Sequence, residues 1–202
     1  MLSKLENATY SSPNRIVWEY FLTLRLIEKS ARDAPSPELA RQQAALAIIM
    51  CVTVVEVFLN MWFRVKVEEM TNKECRKSFQ KDIDKRISIE HKLKKWPERY
   101  LKRSLNLDVG PGKKFSEIKQ LRNSIIHFTS NHESLKLTEE VIIHGLADTT
   151  NYDSLNASNA TYALKTAEEL VLEIFSLANL DSEQASSEMH AWTGNMNYYK
   201  TD

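Results

Sequence analysis

The chain has 202 residues, 43% apolar and 27% charged, ordinary proportions for a globular domain with a core of its own. Four glycines and five prolines are too few for a sheet-rich fold with many tight turns, so long helices are expected. Twenty-seven basic residues balance 27 acidic ones; the total points to no polyanionic partner, although a basic patch can coexist with an acidic one.

The two cysteines make neither a disulfide framework nor a zinc site. Cys51 lies in an apolar run, Cys75 in a charged one, and neither has a CxxC partner. The opening stretch "MLSKLENATY" lacks the apolar segment of a secretory signal. A reducing cytoplasm is therefore expected, and the N-x-S/T sequons at Asn7, Asn156 and Asn159 carry little weight.

"NRIVWEYFLTLRLIEKSARD" predicts a first helix over Asn14 to Asp33, with Val17, Phe21, Leu24 and Ile27 or Glu28 on one face. "APSPE" ends it and starts the next. Ser36 suits the N-cap, Pro37 the first helical position and Glu38 the positive end of the dipole. The second helix carries "AALAIIMCVTVVEVFLNMWF", Ala44 to Phe63. That run would almost span a bilayer. Glu56 and Asn60, four apart on one face, are expensive in lipid, so a buried central helix is expected and no membrane. A carboxylate in such a helix needs a partner.

From Thr71 to Asn106 the sequence is charged and predicts two helices, with a bend or restart at Pro97. Lys92, Lys94, Lys95, Arg99, Lys102 and Arg103 cluster there. They could hold RNA phosphates, but the interleaved Glu90 and Glu98 favour a solvated face. "DVGPGKK" predicts a loop, and helix resumes from about Phe115 to Phe128. The next stretch is the least regular, with a short strand expected in "EVIIHGL". Ser158 or Asn159 would cap a last helix, "ATYALKTAEELVLEIFSLANL", with Ala163, Leu170, Ile174 and Leu177 inward. A single domain over residues 1–180 and a polar, mobile tail over 181–202 complete the expectation.

Chemistry concentrates in "QLRNSIIHF". Asn123 and His127 are four apart and share a helix face; Arg122 stands about 140° from His127 on an ideal helix. A histidine moves protons near neutral pH, an arginine fork holds a phosphate and its developing charge, and an asparagine orients either. These are the pieces for cleaving a phosphodiester, with no metal required if the 2′-hydroxyl of RNA is the nucleophile. Spacing alone selects little: Arg86 and His91 repeat it, and a histidine at a helix end is more often a cap or a surface group. A metal site from His127, His132, His144 and Glu133 has no helical spacing behind it.

"LRNSIIHF", after a Gly/Pro loop and before a final amphipathic helix, resembles the signature of the HEPN superfamily. That signature is an arginine, usually a polar residue (often Asn), and a histidine after four to six intervening residues. Arg122, Asn123 and His127 match it, whereas Ile87 follows Arg86. "VVEVFLN", with Glu56, is similar to the acidic position on an early helix of many members. "IEHKLKKWP", then a loop, then the Arg–His helix follows the superfamily's order of segments. The likeness covers about Leu39 to Leu180.

The resemblance implies an all-α helical bundle and a metal-independent endoribonuclease without cofactor, of toxin or defence type. His127 would act as general base or acid, Arg122 would steady the transition state, Asn123 would orient them, and Glu56 would hold Arg122. It also implies a homodimer with two Arg–His pairs in one cleft, RNA as substrate, and an antitoxin or nucleotidyltransferase as further partner. Thr129 stands where some toxin members carry a tyrosine that a nucleotidyltransferase modifies, which speaks against that control here. Some members are non-catalytic binding or dimerisation modules, and that is the alternative function.

Overall fold

A computed structural model of the chain describes residues 11–85, 87–127, 133–136 and 142–195, with backbone alone at 133–136 and 142–146. Arg86, Phe128, Thr129 and His132 lie outside the described residues. So do the side chains of Glu133 and His144, and with them most of the metal grouping considered above.

The fold is an all-α bundle built round one helix. α1 (Pro13–Arg32) and α2 (Pro37–Glu68) pack along each other as a helical hairpin. Ser36 caps α2 as expected: its Oγ accepts from the backbone N–H of Leu39 at 3.3 Å, and Pro37 follows. α2 is apolar almost all round, which demands cover on most sides. α1, α3 (Lys73–Ile83), α5 (Gly110–His127) and α7 (Ala157–Leu177) supply it. Length and composition alone would let α2 cross a membrane, yet 56% of its most apolar window is buried inside this bundle. Phe58 stands at the centre, 5.6 Å from the Phe175 ring and 5.9 Å from Trp192, each edge-on.

α4 (Ile89–Trp96) runs into a single π-helical turn, Pro97–Leu101, the bend expected at the proline. The "DVGPGKK" segment differs from its expected loop, because α5 already starts at Gly110. Pro111 can occupy a first turn because its missing N–H would have no helical partner there. Gly112 is buried against the backbone of Asn106, where any Cβ would overlap the carbonyl oxygen. α5 is followed by a two-stranded antiparallel hairpin, β1 (Glu133–Lys136) and β2 (Ile142–Leu146), pairing Leu135 with Ile143. β2 is the strand expected in "EVIIHGL". One turn of helix, α6 (Thr150–Asp153), leads to α7.

Asn156, rather than Ser158 or Asn159, caps α7. Its side chain accepts from Ser158 N at 2.9 Å, and Asn159 Oδ1 accepts from Asn156 N at 2.9 Å, a reciprocal capping box. Within the segment expected as a mobile tail, residues 182–193 are helix, while 196–202 lie outside the described residues. α8 (Ser182–Thr193) has its own capping box from Asp181 and Gln184, and it buries Ala185, Met189 and Trp192. Those residues recur at helical spacing, so α8 lays an apolar stripe on α1 and α7. Gly194 ends it with a positive φ of 73°, its Cα set against the Trp18 indole where a Cβ would collide.

The closure of α8 on α1 is also polar. Arg25 Nη2 donates to Glu168 Oε1 at 2.7 Å, and Asn195 Nδ2 donates to Glu168 Oε2 at 2.8 Å. The other Arg25 terminal nitrogen, Nη1, donates to the Thr193 carbonyl. Burial pushes the Glu168 carboxyl above its ordinary range, and Arg25 pulls it back part of the way.

Candidate active site

α5 is positioned by Phe115, Ile118 and Ile125, which are buried where it packs on α2 and α7. Arg122 falls within that same stripe, seven residues after Phe115 and three before Ile125. It is accordingly half-buried. Its Nη1 donates to Asn123 Oδ1 at 2.9 Å. Nε is buried with no acceptor, and Nη2 makes no hydrogen bond among the described residues. A guanidinium left with spare donors is a natural seat for an anion. His127 closes the last turn of α5 on the other side, exposed, with no side-chain hydrogen bond among the described residues. The fold thus brings Arg122 and Asn123 into contact, with His127 on the Asn123 face and about 140° round the helix from Arg122.

Glu56 plays another part than expected. Its Oε1 accepts a 2.5 Å hydrogen bond from Lys92 Nζ, and no bond joins it to Arg122. Lys92 lies among Ile89, Leu93 and Trp96 on the buried face of α4, so its ammonium enters the core and must find a carboxylate. The one carboxylate in the apolar run of α2 meets it. That Lys92 sits on the buried face is readable in principle, because Ile89, Lys92, Leu93 and Trp96 recur at helical spacing; which carboxylate it meets is not.

Much of the basic run is likewise engaged within the fold, Lys94 and Arg103 excepted. Beyond Lys92, Lys95 pairs with Glu98 at 3.2 Å, and Arg99 donates to Asp82 at 2.7 Å and to Ser78 at 2.9 Å. Lys102 donates to the Arg99 carbonyl at 3.1 Å. These cations hold α3, α4 and the π-helical turn together.

A cleft of about 500 Å³ opens between α4, the Leu107–Asp108 turn and the first three turns of α5. Sequence reasoning missed it because it forms between segments distant in the chain. Its floor is Leu93, Leu107 and Phe115. Among the described residues no three metal-ligating side chains converge. No protein-family model, curated protein or solved structure matches the chain.

Proposed function

We propose that the protein is a metal-independent endoribonuclease of the HEPN kind that works as a homodimer. The observation that carries this reading is the end of α5: an arginine, tied to Asn123, whose Nη2 has no acceptor among the described residues, close to a histidine open to solvent. In the proposed reaction His127 takes the proton of a ribose 2′-hydroxyl. The 2′-oxygen attacks phosphorus, and the bond to the 5′-oxygen breaks. The leaving oxygen receives a proton from the second copy's histidine. Products are a 2′,3′-cyclic phosphate and a 5′-hydroxyl. Arg122 neutralises the charge that builds on the non-bridging oxygens, held to its task by Asn123.

One chain presents Arg122 and His127 about 140° apart on α5. A two-fold pairing across the end of this helix would set one copy's histidine beside the other's arginine. Ile126, four residues after Arg122 and 42% exposed, is an apolar group available to such an interface.

The test is incubation of the purified protein with structured RNA in EDTA, beside His127→Ala. Cleavage ending in cyclic phosphate, lost in the variant, is expected. Intact RNA with the wild type, or equal cutting by the variant, would overturn the assignment. The seat of Arg122 on the core-facing stripe favours a second reading, a non-catalytic helical module of the same fold; intact RNA together with a stable dimer would select it.

A further inference from the structure

We infer that the cleft between α4 and α5 is the seat of a nucleotide unit of the RNA strand next to the scissile phosphate, an inference that rests on the nuclease reading above. The placement comes from helix geometry. Lys113, Ser116, Glu117 and Gln120 of α5 line the cleft. Steps of three and four from Gln120 reach Asn123 and Ser124, and a step of seven reaches His127. The cleft and the exposed histidine therefore share one face of one helix, with Gln120 at the near edge of the cleft about 10 Å from His127 along its axis. That separation is on the scale of one to two nucleotides of an extended strand.

The lining has the chemistry of a base site rather than of a phosphate track. Leu107, half-buried, offers apolar surface to the face of a base, and the buried Leu93 and Phe115 back it from beneath. The Gln120 amide, exposed at the wall, has both a donor and an acceptor for a base edge. Lys119 and Glu90 are paired across the cleft, and Lys113 lies 3.9 Å from Glu117, so those four charges largely cancel. Lys94 and Asp108 also line the cleft, both exposed and neither in an ion pair among the described residues, so the lining is neutral overall and Lys94 is the cation on hand for a phosphate. A volume of about 500 Å³ admits one nucleotide with its water, not a folded RNA element.

The test uses two exposed binding residues outside the proposed catalytic group, Gln120→Ala and Lys94→Glu, in the full chain. Each of the four ribonucleoside 5′-monophosphates is titrated against wild type and variants by NMR, and cleavage of a short single-stranded RNA is followed in parallel. At least one monophosphate is expected to shift the resonances of Leu93, Leu107 and Gln120, and to bind about tenfold more weakly to either variant. KM for RNA should rise by about the same factor while kcat stays within about twofold. Cleavage with unchanged KM in both variants and no titration of the cleft overturns the base site and leaves the nuclease standing. Titration of the cleft without any cleavage keeps the nucleotide site and removes the nuclease. Neither response removes both.

Discussion

Removing the Glu56 carboxylate should cost more than removing the lysine it holds. The Lys92 side chain is 7% exposed and that of Glu56 42%, so a buried cation meets a half-wet counter-ion. Breaking a fully dry pair costs about 3–5 kcal/mol, and an exposed pair about 0–1 kcal/mol. With one partner reached by water, Glu56→Ala is expected to cost about 2 kcal/mol, because Lys92 keeps its charge in the core and cannot follow Glu56 to the surface. Lys92→Met takes the charge away and fills the same space with an apolar stem, while Glu56 turns to solvent. It forfeits the contact between the ammonium and the Trp96 ring, 5.6 Å away, and should stay within about 1 kcal/mol of wild type. The double variant should then resemble Lys92→Met, a coupling of about 2 kcal/mol. Urea unfolding with an unchanged m-value measures all three, and Glu56→Ala should melt about 4–8 °C lower. A Lys92→Met variant less stable than Glu56→Ala, or costs that simply add in the double variant, would refute the reasoning.

Arg122→Lys keeps the charge but loses the planar fork, and RNA cleavage should drop by about a hundredfold with the helical circular dichroism spectrum intact; retained activity would count against a phosphate-binding role. For Glu168 the folded carboxyl titrates above its unfolded value, so its contribution to stability is fully present below the unfolded pKa and fades as pH rises through the folded one. The stability of wild type relative to Glu168→Gln should therefore decline as pH climbs above the ordinary carboxyl range, and urea melts giving a constant difference would contradict this. Gly112→Ala puts a methyl group into the Asn106 carbonyl and should destabilise the fold by about 1–3 kcal/mol, read as a lower urea midpoint.

The helices with strong local signals are legible in the sequence itself. α1 and α2 announce themselves through periodic apolar residues and the Ser36–Pro37 start, and Pro97 marks its bend. α8 escapes notice because its stripe is only Ala185, Met189 and Trp192 in a polar stretch; those three gain weight only when α1 and α7 offer a surface to receive them. The start of α5 is easily misread because glycine and proline next to each other usually signal a turn, and the use of Gly112 depends on a carbonyl six residues back. At the site, the types of Arg122, Asn123 and His127 are visible in the sequence but the charge partners are not. Which carboxylate meets which cation is decided by how α4 lies against α2, and nothing in either segment alone specifies it.

The seal made by α8 has a consequence for how the chain is made. Asn14 Nδ2 donates to the Ala191 carbonyl at 3.4 Å, and Trp18 takes the chain turn at Gly194, so the first helix of the bundle is finished by the last. A ribosome delivers α1 and α2 well before α8, and their faces toward Trp192 and Met189 stay wet until α8 has emerged. Contacts of such sequence separation are slow to close and expose apolar surface meanwhile. Nascent chains stalled before Ser182 should be cut readily by protease, and chains carried past Asn195 should resist; equal resistance would mean that the bundle locks without its final helix. Vectorial synthesis thus leaves this protein with a window in which the Phe58 side of its core is open to chaperones.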